Sequence, residues 1–273
     1  MTSHAIATAE ILSLRIGTKP RKHNDCLTRE EPLEIRVRGK SVAVTMRTPG
    51  HDTELAAGFL VTEGLLRQRS DVIEIAQCQQ GEAALHGNVL NVFLAPSVEI
   101  DFERLTRHVF ASSSCGLCGK ASIESVQQQF PPVTSRMRIN AKMLVALPEK
   151  LRAAQETFEQ TGGLHAAALF NARGKMLVLR EDVGRHNAVD KVIGHAFLNR
   201  LLPLDEHVLL VSGRASFEIL QKALAAKIPI VAAVSAPSSL AVEFARESGQ
   251  TLVGFLRKNT MNLYAHPERI RVR

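Results

Sequence analysis

The pattern of apolar and polar positions is typical of β-structure near the start of the chain. Apolar side chains alternate with charged ones on both sides of a Gly-Lys turn, which indicates a β-hairpin over residues 33–44. A helix is expected over residues 54–66, with Asp52 or Thr53 as its N-cap. Two more strands are predicted within residues 72–95.

The second half of the chain alternates between short apolar runs and amphipathic stretches. Strands are predicted at residues 164–170, 175–180, 208–211, 230–234 and 251–256, and helices at residues 148–160, 188–200, 217–226 and 240–247. The first two strands are expected to pair through a short turn. Strands that alternate with helices elsewhere favour parallel pairing and helices on both faces of the sheet. The pattern therefore predicts an α/β domain of three layers.

Breaks in these patterns divide the chain into three parts. Residues 1–31 are polar and mixed, and we expect a flexible or extended arm there. Residues 32–132 form a predicted β-rich N-terminal domain, which ends in a Cys-x-x-Cys loop, a short helical stretch and a pair of prolines. Residues 133–273 form the predicted α/β cofactor-binding domain.

Composition and charge narrow the classes of function. The net charge of +7 favours an acidic ligand or partner. With one Tyr, no Trp and no run of five basic residues, a nucleic-acid partner is not expected. No apolar stretch reaches the roughly 18 residues of a membrane span, and no signal peptide is recognised. We therefore expect a cytoplasmic protein without a membrane partner.

Two of the four cysteines carry the candidate chemistry. Cys115 and Cys118 form a Cys-x-x-Cys pair in a Ser- and Gly-rich loop, whereas Cys26 and Cys78 stand alone. Such a pair suits half of a zinc site, a dithiol–disulfide couple or a sulfur carrier. Zinc is disfavoured because no second pair occurs and the only His-x-Glu, at residues 266–268, follows the cysteines. The flexible composition of the loop favours the carrier, since its thiol must visit two sites.

Polar and basic segments follow the predicted strands of the second half. In open α/β sheets, ligands bind beyond the carboxyl ends of the strands. The segments there are residues 181–187, 212–216, 235–239 and 257–262, and their basic side chains are Arg185, His186, Arg214, Arg257 and Lys258. Helix N-termini and Arg side chains both bind phosphate, so we predict an anion pocket. Ordinary helix-capping turns are the alternative.

Seven segments of the chain have the specific character of family motifs. The cysteine segment reads Ser114-Cys-Gly-Leu-Cys-Gly-Lys-Ala-Ser122. The other six lie at residues 47–64, 161–168, 181–191, 212–218, 235–239 and 254–257. Together and in this order, they resemble the FdhD family, the formate dehydrogenase accessory sulfurtransferases. The resemblance covers roughly residues 32–270, and the N-terminal arm lies outside it.

The resemblance implies a fold, an activity and partners. The larger domain would have the cytidine deaminase fold without its zinc ligands, in a chain that forms a homodimer. The protein would accept persulfide sulfur from a cysteine desulfurase. It would transfer that sulfur to the molybdenum cofactor, as molybdenum bis(molybdopterin guanine dinucleotide), for formate dehydrogenase. GDP or GMP could mimic this bound client cofactor, and no structural metal is expected.

The resemblance also assigns residues. Cys115 would carry the persulfide, with Cys118 as the second thiol. The family's cofactor-binding stretch falls on Gly254, Phe255, Leu256, Arg257, Lys258 and Asn259. Other motif residues expected near the pocket are His165, Arg185, His186, Asp190, Arg214 and Glu218. A carboxylate among them, Asp190 or Glu218, could accept hydrogen bonds from guanine, and a helix-surface or capping role is the alternative for each.

Two rival functions stay open at this point. One is a zinc-dependent hydrolase related to deaminases, which the fold would permit but the missing upstream His-x-Glu argues against. The other is a non-catalytic escort that binds guanine nucleotide or molybdenum cofactor for formate dehydrogenase. Such an escort would keep the basic pocket and tolerate the loss of both cysteines.

Overall fold

The computed structural model describes residues 4–79, 87–102 and 129–272. Its strands form two larger sheets and two small two-stranded ones. In chain order, the helices and strands are β1 (Ile6–Ser13), β2 (Arg21–Thr28), β3 (Glu31–Val37), β4 (Lys40–Arg47), α1 (Asp52–Thr62), β5 (Val72–Gln77), β6 (Val89–Leu94), β7 (Ile139–Asn140), α2 (Ala141–Val145), α3 (Leu147–Ala153), α4 (Glu156–Thr161), β8 (His165–Asn171), β9 (Met176–Asp182), α5 (Arg185–Leu198), β10 (His207–Val211), α6 (Phe217–Ala225), β11 (Ile230–Ala233), α7 (Ser239–Glu247), β12 (Thr251–Arg257), β13 (Thr260–Ala265) and β14 (Ile270–Arg271).

The first larger sheet has four strands in the order β4-β3-β6-β5. Strands β3 and β4 form the predicted antiparallel hairpin, and β3 pairs with β6 in parallel. Alternate side chains of a strand point to opposite faces, so Leu33, Ile35 and Val37 all turn inward and are buried. The helix that follows was predicted over residues 54–66 and instead runs from Asp52 to Thr62. Its N-cap is His51, in a left-handed conformation with φ 59°, so the predicted capping role of Asp52 or Thr53 is wrong.

A hairpin of β1 and β2 forms most of the segment predicted as an arm. The two strands pair only with each other, in antiparallel register. The base of the hairpin is attached to the rest of the chain, since the Thr28 hydroxyl donates to the Thr161 hydroxyl at 2.9 Å. Most of its side chains are exposed, so its sequence lacks the apolar alternation of a half-buried strand.

The second larger sheet has six strands in the order β13-β12-β11-β10-β8-β9. Strands β10, β11 and β12 are parallel, as the alternating pattern predicted. The hairpin of β8 and β9 was also predicted. Strand β8 nevertheless joins β10 in antiparallel register, and β13 adds an antiparallel edge strand that the sequence analysis did not assign. The predicted helix over residues 148–160 is divided into α3 and α4.

Helices pack on each face of the six-stranded sheet. One face contributes Ala167, Leu169 and Leu209 to an apolar cluster that includes side chains of α1, α5, α6 and α7. Neighbouring residues of the same strands point to the other face and pack against α2 and α3. The first cluster also contains the inward side chains of the four-stranded sheet. The position of the domain boundary near residue 132 stays a prediction.

Helices α1 and α5 approach each other closely because each has a glycine at the contact. A Cβ atom on Gly58 would lie 1.8 Å from the carbonyl oxygen of Asp190, and one on Gly194 would lie 1.8 Å from that of Glu54. The two backbones therefore touch without an intervening side chain. Among the described helices, none is both long and apolar enough to cross a membrane.

Candidate functional site

The predicted basic segments meet at one edge of the six-stranded sheet. This edge contains the carboxyl ends of the parallel strands β10, β11 and β12. Strand β8 runs in the opposite direction, so it begins at the same edge, where His165 pairs with the last residue of β9, Asp182. Helix α5 starts three residues later and brings Arg185 and His186 to this edge.

His165 and the loop after β10 form the floor of the site. The His165 ring packs over Gly213, where an added Cβ atom would lie 3.2 Å from Nδ1. The Ser212 hydroxyl accepts a hydrogen bond from the backbone N–H of Ala166 at 2.9 Å, which fixes the loop to β8. Burial lowers the pKa of His165. The positive charges of Arg185, His186 and Arg214 lower that pKa further, so these groups share one electrostatic environment.

Arg185 carries an unsatisfied donor at this site. Its Nε atom is buried and has no hydrogen-bond partner among the described residues. No side chain caps the N-terminus of α5, and the first turn of that helix contains no acidic residue. Uncapped N–H groups, the positive end of the helix dipole and an unsatisfied guanidinium N–H all favour an anion such as phosphate.

His186 and Glu218 form an ion pair between α5 and α6. The distance between His186 Nε2 and Glu218 Oε2 is 2.8 Å, and both side chains are about one-third exposed. The same nitrogen lies 3.3 Å from the Ser216 hydroxyl. The hydrogen bond from His186 holds the pKa of Glu218 below its ordinary value, against the effect of burial. Glu218 therefore reaches the predicted site, with its carboxylate already engaged.

The stretch of residues 254–259 lies at the end of β12 and in the following turn. Gly254 fits tightly, since an added Cβ atom would lie 2.8 Å from Cδ of Pro237. The backbone N–H of Phe255 donates to the Ser235 carbonyl at 3.1 Å. Leu256 is buried. The last three residues of the stretch are exposed, namely Arg257, Lys258 and Asn259. This stretch thus lies beside the loop after β11, at the same edge of the sheet.

Asp190 lies away from that edge, in the interior. It is 3% exposed, and Lys222 Nζ lies 2.9 and 2.8 Å from its two carboxylate oxygens. The Thr62 hydroxyl donates to the same carboxylate at 3.0 Å. Burial disfavours the charged form of Lys222, but the negative charge of Asp190 outweighs burial and raises the pKa of the lysine. Asp190 is thus held in a buried ion pair, a role different from the helix-surface or capping role given as the alternative to a guanine contact.

A second buried ion pair was missed by the sequence analysis. Lys191 Nζ lies 2.7 Å from Asp182 Oδ2, and the two side chains are 1% and 0% exposed. Lys191 also donates to the backbone carbonyl of Thr48 at 2.8 Å. Asp182 and Lys191 are nine residues apart and separated by a turn, so no helix or strand periodicity predicts that they pair. Membership of one family motif was the only available indication.

A charged cluster between α1, β9 and α5 was also missed. Arg180 donates to both carboxylate oxygens of Glu54, at 2.5 and 2.7 Å, and His195 Nδ1 lies 2.9 Å from the same carboxylate. Burial alone would raise the pKa of Glu54. The hydrogen bonds from Arg180 and His195 outweigh burial and hold this pKa below its ordinary value. Glu54 therefore joins α1 to the large sheet.

The cysteine pair, Cys115 and Cys118, lies outside the described residues. The remaining cysteines, Cys26 and Cys78, are half-buried. Within the described ranges, no group of three or more His, Cys, Asp or Glu side chains is arranged to hold a metal ion. The chemistry available in the described site is thus anion binding by cationic side chains and a helix N-terminus.

Known proteins resemble this chain along most of its length. The model of the FdhD/NarQ family matches residues 28–271. A protein of Streptomyces coelicolor is 53% identical over 265 residues, which cover 94% of this chain and 92% of that protein. A protein of Mycolicibacterium paratuberculosis is 56% identical over 250 residues, 90% of this chain and 92% of that protein. Both are named sulfur carrier protein FdhD.

A solved structure extends the resemblance to three dimensions. It is assigned as a formate dehydrogenase accessory protein from Desulfotalea psychrophila, with a TM-score of 0.78 and 25% sequence identity. The match covers 98% of this chain and all of that one. The resemblance inferred from the motifs is confirmed, and the chain belongs to the FdhD/NarQ family.

Proposed function

We propose that this chain is a sulfurtransferase of the persulfide-carrier type that serves formate dehydrogenase. It accepts sulfur from a cysteine desulfurase on Cys115 and transfers it to molybdenum bis(molybdopterin guanine dinucleotide), held in the basic site. The names and the similarity of the relatives support the carrier role. The single structural observation that carries the proposal is the convergence of Arg185, His165 and Arg214 at one sheet edge.

The sulfur chemistry requires one thiolate and one donor. The Cys115 thiolate attacks the terminal sulfur of the donor persulfide, so that a new S–S bond forms and the donor departs as a thiolate. Cys118 can then attack the inner sulfur, which releases hydrosulfide and leaves a disulfide between the two cysteines. A cellular dithiol reductant must reduce that disulfide before the next cycle.

The basic site suits the guanine dinucleotide part of the cofactor. Each pyrophosphate is an anion that the Arg185 guanidinium and the N-terminus of α5 would bind. The exposed residues Arg257 and Lys258 would add charge at the rim. GDP or GMP would occupy the same place as a partial mimic. The proposal includes a cytidine-deaminase-like layering of the larger domain, a homodimer and a cytoplasmic location.

Mass spectrometry tests the carrier role directly. The intact protein is incubated with a cysteine desulfurase and cysteine, beside the Cys115→Ala variant. The wild type should gain the mass of about one sulfur atom, and the variant should gain none. Equal masses before and after incubation in both proteins would contradict the carrier role and favour the non-catalytic escort.

A titration with GDP tests the pocket. Arg214→Ala should weaken GDP binding about tenfold, because a charge-assisted hydrogen bond to phosphate is worth roughly 1.5–3 kcal/mol. Arg173→Ala is the matched control, since Arg173 is an exposed arginine in the β8–β9 turn at the opposite edge of the sheet. Equal losses of affinity in both variants would contradict a specific pocket.

A further inference from the structure

A buried ion pair fastens the turn that leads into the site. Lys191 and Asp182 pair at 2.7 Å and are almost completely buried. Asp182 also accepts hydrogen bonds from the backbone N–H groups of Thr48 at 3.2 Å and Gly184 at 2.8 Å. The Lys191 ammonium also donates a hydrogen bond to the Thr48 carbonyl at 2.8 Å. The two charges therefore satisfy both polar backbone groups of Thr48, which lies just beyond β4.

The bonds converge on the β9–α5 turn. The hydroxyl of Thr48 accepts a hydrogen bond from the backbone N–H of Val183 at 3.1 Å. The Asn187 amide donates to Asp182 at 3.0 Å and to the Met46 carbonyl at 2.7 Å. Each of these bonds lies within residues 182–191 or joins that segment to residues 46–48, at the end of β4.

An ion pair of this kind is a poor way to gain stability alone. Burying two charges costs desolvation energy, and well-packed apolar residues of similar volume often stabilise a protein as much or more. The pair between Lys191 and Asp182 instead restrains the local backbone to one conformation, because both charged groups are also hydrogen-bonded to backbone atoms around them. The residues next in the chain after this turn are Arg185 and His186, both of which belong to the basic site.

We infer that Thr48, Asp182 and Lys191 are positioning residues, which hold the β9–α5 turn so that Arg185 and His186 face the anion pocket. The inference rests on the proposed function for the identity of the bound anion. Through Thr48, the network joins the start of α5 directly to the motif of residues 47–64. None of the three positioning residues needs to touch the ligand.

Another buried ion pair supplies a matched control. Asp190 and Lys222 lie 2.8 Å apart and are 4% and 11% exposed. Thr62 bonds to both members through its hydroxyl, whereas Thr48 bonds to the first pair through its backbone groups. The hydrogen bond from His186 and the charge of Lys222 both lower the pKa of Glu218, so only the threonine of this second network is substituted. Thr62→Val matches Thr48→Val, since each removes one buried threonine hydroxyl.

Nuclear magnetic resonance of the free protein tests the positioning role. The imidazole signals of His186, assigned with a His186→Gln variant, should shift in Thr48→Val and Lys191→Met. They should stay in place in Thr62→Val, and Thr48→Ser should keep the wild-type signals. Thr48→Val removes one hydroxyl only, so it keeps the test valid if Lys191→Met does not fold. Unchanged signals in Thr48→Val, or equal shifts in Thr62→Val, would overturn the inference.

GDP binding in the same variants separates this inference from the proposed function. Thr48→Val should weaken GDP binding about fivefold relative to Thr62→Val, a typical size for coupling through a packed network. Equal affinities in the two variants would overturn the inference. If the wild type bound no GDP, the nucleotide part of the proposed function would fail, and the His186 signals would still decide the positioning role.

Discussion

The contact between α1 and α5 allows a quantitative prediction, because it leaves no room for a side chain. In Gly58→Ala, the new Cβ atom would lie 1.8 Å from the Asp190 carbonyl oxygen, whereas ordinary contacts begin at 3.4 Å. The helices must separate by roughly 1.5 Å, which forfeits much of the dispersion attraction along their contact. Alanine would otherwise stabilise a helix by about 1 kcal/mol relative to glycine.

Overpacking should outweigh this gain in helix propensity. We expect Gly58→Ala to lower the free energy of unfolding by about 2–3 kcal/mol, measured by urea denaturation with circular dichroism. Thr53→Ala is the control, since Thr53 is exposed on the same helix and should change stability by only a few tenths of a kcal/mol. A Gly58→Ala protein as stable as the wild type would refute the close approach of the two helices.

Three further substitutions, with Arg36→Lys as a control, test the charge contacts. Arg47→Lys should cost about 1–3 kcal/mol in urea denaturation, because Arg47 is 2% exposed and bonded to both oxygens of a carboxylate. The half-exposed Arg36→Lys should cost little. Glu218→Gln should destabilise at about pH 7, and this loss should shrink as the pH falls below 4.5. His186 lowers the pKa of the Glu218 carboxyl, so its contribution is present above the ordinary value of 4.5 and is lost as the pH falls through the folded pKa. Lys222→Met should lower the free energy of unfolding by about 3–5 kcal/mol in thermal denaturation, because it leaves a buried carboxylate unpaired.

The second half of the fold could be predicted because its strands are short apolar runs between turn residues. Strand β10 begins one residue before its predicted range and ends where predicted, and α6 and α7 differ from prediction by a single residue. Strands that are buried on both faces consist almost entirely of apolar residues, so the sequence alone reveals them. Strand β13 was not predicted because it lacks the buried apolar run of the central strands: three of its six residues are exposed and only Ala265 is buried.

The location of the site could be predicted from topology, whereas the roles of individual charges could not. Ligand sites at the carboxyl ends of parallel strands follow from the fold, and His186 and Glu218, both predicted near such a site, contact each other. Asp190 and Lys191 are adjacent in the sequence, yet both are buried in separate ion pairs. Sequence spacing alone treats such residues as exposed, because the pairing depends on distant strands and helices.

The most direct test of the account follows one sulfur atom. The protein is loaded with radioactive sulfur from a cysteine desulfurase, purified, and mixed with molybdenum bis(molybdopterin guanine dinucleotide) that lacks the transferred sulfur. We predict that the label leaves Cys115 and appears on the isolated cofactor, and that Cys115→Ala neither takes up nor transfers it. Label that stays on the protein, or a Cys115→Ala variant that delivers label as fast as the wild type, would contradict the account.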